Sequence, residues 1–120
     1  MNPNAIPTID VTEADRRRRE GEPPGILLDI REPDEIAEAR APDSVLLPMS
    51  QFPTRGASLP RDRQLLVICR SGNRSAAVTN YLVRAGYDAH NVAGGIIAWA
   101  RAGLPLVSGA PAPGEGDLPG

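Results

Sequence analysis

The chain's single cysteine, Cys69, closes an apolar run, Leu65-Leu66-Val67-Ile68, and is followed by Arg70-Ser71-Gly72-Asn73-Arg74-Ser75. That order of residue types describes a buried strand ending at a thiol, a short polar loop and the start of a helix. In parallel α/β sheets, ligand sites lie beyond the carboxyl ends of the strands. The loop's backbone N–H groups and the positive end of the next helix form a cradle for an anion. Gly72 supplies the backbone freedom that such a tight loop needs, and Arg70 and Arg74 add two positive charges. Surroundings of this kind lower a thiol's pKa, so Cys69 is expected to be largely thiolate at neutral pH. A lone cysteine at a strand end is often inert packing. Inert packing has no need of the two arginines, two serines, glycine and asparagine that fill the next six positions.

With one cysteine, an internal disulfide is impossible. Cys69 and His90 are the only soft metal ligands, so a structural zinc site is not expected, nor is any metal or organic cofactor. An intermediate on Cys69 has no resolving thiol in its own chain, so turnover depends on an outside acceptor, and the loop is open to oxidation.

The elements that would position this loop can be read from periodicity. Ile26–Ile30, Val45–Leu47 and Leu65–Cys69 are short, nearly continuous apolar stretches, as expected of strands covered on both faces. Ile6–Val11 and His90–Ala93 are weaker strand candidates. Thr12 is placed to cap a helix through Arg19, with Asp15 in a capping-box-like position. Pro33–Arg40, Ser75–Ala85 and Ile96–Ala102 read as further helices, the first with proline in its opening turn. Residues 48–60 are mostly irregular, with a short helix at most around Met49–Pro53. Strands alternating with helices predict an α/β fold with a mainly parallel central sheet of about five strands, flanked by helices on both faces. Residues 1–5 and the Pro/Gly-rich residues 108–120 are expected to be disordered, leaving residues 6–107 as one domain.

Composition narrows the function further. The net charge of −2 gives no electrostatic case for nucleic acid. No apolar run approaches the length of a membrane span, and the first residues lack the features of a signal peptide, so a cytoplasmic address is expected. All 13 basic residues are arginines. The run Arg16–Arg19 reads as a solvated helix face, Trp99 as core and His90 as a surface residue.

Four stretches in order carry a resemblance. Cys69-Arg70-Ser71-Gly72-Asn73-Arg74-Ser75 is similar to the active-site loop of rhodanese-homology domains. Leu28-Asp29-Ile30-Arg31-Glu32-Pro33-Asp34-Glu35 resembles the family's Asp-x-Arg-x-x-x-Glu segment, and Val45-Leu46-Leu47-Pro48-Met49 its following strand with proline. Gly94-Gly95-Ile96-Ile97-Ala98-Trp99 resembles the closing Gly-Gly-x-x-x-Trp helix. One departure stands out: Ala39-Arg40-Ala41-Pro42-Asp43-Ser44 replaces the Gly-His-Ile-Pro-Gly-Ala found in many members, and only the proline matches.

The resemblance implies a rhodanese-like sulfurtransferase. Cys69 would attack the outer sulfur of a small anionic donor such as thiosulfate, hold it as a persulfide and pass it to cyanide or a thiol. The loop from Arg70 through Ser71, Gly72, Asn73, Arg74 and Ser75 would bind the substrate; Arg70 and Arg74 would attract it, or Arg74 would be tied into the loop's scaffold. Asp29, Arg31 and Glu35 are read as support, in an ion-pair network. Three rivals compete. A cell-cycle-type phosphatase needs five residues between cysteine and arginine, whereas Cys69 and Arg74 enclose four. A non-catalytic binding module would not require this loop. A sulfur carrier fed by a protein donor would share the chemistry at Cys69.

Overall fold

The computed structural model describes residues 6–118. Five strands, β1 (Thr8–Ile9), β2 (Ile26–Asp29), β3 (Val45–Leu46), β4 (Leu65–Ile68) and β5 (Ala89–Val92), form one parallel sheet in the order β1-β5-β4-β2-β3. The helices are α1 (Val11–Glu20), α2 (Pro33–Glu38), α3 (Phe52–Arg55), α4 (Asn73–Arg84) and α5 (Gly95–Arg101). The expected α/β architecture is therefore present, with element ends displaced by a few residues. From β2 the chain moves outward to β3, and from β4 it moves the other way to β5. The crevice between β4 and β2 is thus the switch point at which such sheets place their ligands.

Every residue of β2 and β4 is buried because both faces of the sheet are covered. Side chains alternate along a strand. Leu65, Val67 and Cys69 pack with Ile26, Leu28, Ile30, Val78 and Leu82 on the face that α4 covers. Leu66 and Ile68 pack with Val11, Ala14, Ile96 and Trp99 on the face covered by α1 and α5. Cys69 extends the odd-numbered series past the end of β4, which puts its sulfur on the α4 face, beneath that helix's first turn.

Several expectations are corrected. The strand foreseen for Ile6–Val11 shrinks to two residues because Asp10, not Thr12, caps α1, accepting the Glu13 amide at 2.8 Å. Asp15 belongs to no capping box; it is buried and pairs with Arg18 and Arg19. The arginine run is not a uniformly solvated face. Arg16 and Arg19 are exposed, but Arg18 turns inward with its guanidinium 4.9 Å from the Trp99 ring centre. Helix α2 stops at Glu38, and Arg40 instead forms an antiparallel bridge with Val107. The single short helix expected near Met49 is α3 between two 3₁₀ turns, Met49–Gln51 and Gly56–Ser58.

The expected disorder of residues 1–5 and 119–120 lies outside the described residues. Residues 108–118, for which composition predicts disorder, make several contacts. The Gly109 amide donates to Ala37 O at 2.7 Å, Leu46 donates to Gly116 O at 2.9 Å, and Leu118 packs against the core. Composition measures how much apolar surface a segment can bury, and these backbone groups are satisfied instead by partners on β3 and beside α2. Arg40 anchors the arrangement. It is buried, with nitrogens 2.6 and 3.0 Å from the two Glu115 carboxylate oxygens. The segment that departs from the family pattern therefore holds the tail. Its Asp43 adopts φ 63°, in the left-handed region, where the family pattern has glycine.

Candidate active site

The loop of residues 69–75 wraps its own cysteine sulfur. Gly72 N–H lies 3.1 Å from Cys69 Sγ, Ser75 N–H 3.4 Å and Ser75 Oγ 3.2 Å. Gly72, at φ 104°, makes the turn that aims these groups inward. Cys69 itself is 1% exposed. Burial pushes its pKa up, but hydrogen bonds from the Ser75 hydroxyl and from the amides of Ser75, Gly72 and Ser71 outweigh it, and the net shift is downward. The largest lowering causes are the hydrogen bonds to the sulfur, which favour its anionic form, and the charge of Arg74 also interacts with the thiolate.

The two arginines separate. Arg70 is exposed and borders a recess of about 140 Å³ shared with Glu38, Ile96 and Ile97. Arg74 is held by a carboxylate. Its two terminal nitrogens each lie 2.7 Å from a carboxylate oxygen of Glu35, a bidentate pair. That pairing pulls Glu35 down to about 2, against an ordinary value near 4.5, and pushes Arg74 up. This pair is the contact expected of the scaffold role for Arg74. Glu35 also accepts the Glu32 amide at 3.2 Å, so it joins the start of α2 to the first turn of α4.

Asp29 and Arg31 form a second, buried pair at the end of β2, with Nη2 to Oδ2 at 2.7 Å. Arg31 also donates to the carbonyls of Glu35 (3.2 Å) and Ala39 (2.7 Å), which holds α2 against the sheet. Asp29, Arg31 and Glu35, read as support from the sequence, thus fall in two ion pairs, Asp29–Arg31 and Glu35–Arg74, joined by the Arg31 bond to the Glu35 carbonyl. From behind, the first amides of α5 fix the loop: Ile96 donates to Cys69 O at 2.9 Å and Ile97 to Arg70 O at 3.1 Å. A side chain at Gly95 would stand 2.3 Å from Cys69 O, and φ there is 58°, so only glycine permits that approach. Asn73 and Ser71 are exposed, and Ser75 is fully buried.

Asn91 was not singled out by the sequence. It is buried on β5, and its Oδ1 accepts from Ser75 Oγ at 2.6 Å. The available signal was an amide side chain in a strand whose neighbours Ala89 and Val92 are core. Trp99 is core as expected, and its indole N–H donates to Pro105 O at 2.8 Å. His90 pairs with Asp88. Among the described residues, no group of three or more His, Cys, Asp or Glu is placed to hold a metal ion, and no helix is long and apolar enough to cross a membrane.

A parallel α/β sheet whose central strand ends in a cysteine, cradled by amides at the start of the next helix, defines a class of small cysteine-loop domains. Within that class, the sequence profile of the Rhodanese-like domain matches residues 10–102, and the chain belongs to this family. A protein of Allochromatium vinosum named "Sulfurtransferase" is 49% identical over 84 residues, 69% of this chain and 78% of that protein. The crystal structure of a rhodanese-related protein from Thermoplasma volcanium superposes with a TM-score of 0.75 at 33% identity, covering 84% of this chain and 97% of that one. A rhodanese-like domain protein from Staphylococcus aureus gives a TM-score of 0.71, also at 33% identity, over 78% and 91%.

Proposed function

We propose that this protein is a sulfurtransferase that carries sulfane sulfur on Cys69. Sulfur transfer in general is supported by the family and by the relative named for that activity. The observation that carries the finer reading is the convergence of the Gly72 and Ser75 amides and the Ser75 hydroxyl on one sulfur. In the first step the Cys69 thiolate attacks the outer sulfur of thiosulfate. The S–S bond of the donor breaks, sulfite leaves with its electron pair, and the cysteine becomes a persulfide anion. In the second step cyanide or a thiolate attacks the outer sulfur, and the Cys69 thiolate leaves and is regenerated. With cyanide the product is thiocyanate. No proton need move in either step, so no general base is required. Arg70 draws in the anionic donor from the exposed side of the loop. The amides of Asn73 and Arg74, which open α4 and have no partner within it, are available to the outer sulfur.

The test is direct. Incubation with thiosulfate adds the mass of one sulfur atom to the intact chain, and cyanide removes it, with thiocyanate released in equal amount. Cys69→Ser abolishes both. If Cys69→Ser forms thiocyanate at the native rate, the assignment fails.

A further inference from the structure

Beyond the loop, a hydrogen-bond chain runs from Cys69 Sγ to Ser75 Oγ (3.2 Å) and on to Asn91 Oδ1 (2.6 Å). Ser75 is fully buried and Asn91 is 7% exposed. A serine owns one hydroxyl proton. While Cys69 keeps its proton the count closes: S–H donates to Ser75 Oγ, and O–H donates to Asn91 Oδ1. Once that proton has gone to water the sulfur can only accept, so the hydroxyl must turn towards it. Asn91 Oδ1 would then face an oxygen lone pair. A carboxamide can answer this, because half a turn about its last torsion brings its NH₂ group to Ser75 Oγ as donor.

We propose that Asn91 is a positioning residue for Cys69, a hydrogen-bond partner that lets Ser75 reverse direction as the thiol loses its proton. The proposal rests on Cys69 acting as a thiolate. Only the S–H bond breaks; the electron pair stays on sulfur and the proton goes to solvent.

Two substitutions of nearly equal size should have opposite effects. Ionised aspartate only accepts, so it holds the Ser75 proton and adds a negative charge two hydrogen bonds from the sulfur. Leucine neither accepts nor donates, and so frees the hydroxyl for the sulfur. The charged groups around the loop are Arg70, Arg74 of α4, Glu35 of α2, the Asp29–Arg31 pair beyond β2, and Asp88 with His90 by β5. Both variants leave all of them in place.

The experiment follows iodoacetamide alkylation of Cys69 against pH in the native protein, Asn91→Asp and Asn91→Leu. At pH values below the Cys69 pKa, Asn91→Asp should alkylate about tenfold more slowly, the equivalent of one pKa unit, with its profile moved to higher pH. Asn91→Leu should react at least as fast as native. Equal profiles for all three proteins, or equal slowing in both variants, overturn the proposal. Should Asn91→Asp not fold, the native protein decides: by NMR, the Asn91 side-chain amide signals should step at the pH where Cys69 ionises and stay constant in Cys69→Ala. No step, or a step that persists without the thiol, overturns it equally. Persulfide formation from thiosulfate is read separately. A persulfide without any Asn91 effect removes this relay alone; an Asn91 effect without a persulfide removes the sulfur-transfer reading and leaves the relay standing.

Discussion

At the scale of single residues, the site divides into groups that serve the sulfur and groups that serve the loop. Ser75 serves the sulfur. Ser75→Ala removes the hydroxyl, the foremost of the hydrogen bonds that lower the Cys69 pKa, and should move the pH profile of alkylation upward and slow the reaction at pH 7. Arg70 faces solvent, so Arg70→Ala should raise KM for thiosulfate several-fold with little change in kcat, and added salt should narrow the difference from native. Arg74 and Glu35 serve the loop. The carboxyl of Glu35 is held near 2 in the folded protein, against an ordinary value near 4.5. Its ionisation therefore stabilises the fold fully above about 4.5, and that contribution disappears as pH falls through about 2. Urea unfolding of Glu35→Gln should show a deficit against native at pH 6 that shrinks steadily towards pH 2. A deficit independent of pH would mean that the ion pair is not its source.

At the scale of elements, the loop is gripped from two sides, by α4 in front and by the α5 amides behind. Gly95→Ala would force a methyl group into the Cys69 carbonyl at a positive φ. It should cost about 2 kcal/mol or more, measurable by thermal unfolding, since the left-handed conformation alone costs an ordinary residue about 1–2 kcal/mol. The sequence made the near side of this grip legible. A strand ending in a thiol, a glycine turn and a helix start leave little freedom, and alternation along β4 then settles which face the sulfur takes. The far side was less legible, because Ser75–Asn91 and Arg74–Glu35 join residues 16 and 39 positions apart. Periodicity describes one element at a time and carries no information on which side chains of separate elements meet. The misplaced α1 cap has a local cause: Asp10 and Thr12 are both good capping types, and residue type alone did not choose between them.

At the scale of the whole molecule, the segment for which composition predicts disorder makes contacts with the rest of the chain. Gly109 bonds Ala37 of α2 and Gly116 bonds Leu46 of β3, Glu115 pairs with the buried Arg40, and Leu118 packs against the core. A chain ending at Val107 should melt lower by roughly 5 °C or more, while Cys69 alkylation keeps its native pH profile, because the hydrogen bonds and the ion pair of residues 108–118 are made to Ala37, Arg40 and Leu46 and not to the loop. Loss of the thiol's reactivity on truncation would show that the two ends of the sheet are coupled. The same strap has a bearing on self-association. An unpaired sheet margin is a template on which another chain can add a strand, and here the amide of Leu46 is already taken by Gly116. A protease that trimmed this ribbon would bare the Leu46 amide and leave that margin of the sheet open to pairing with a second copy.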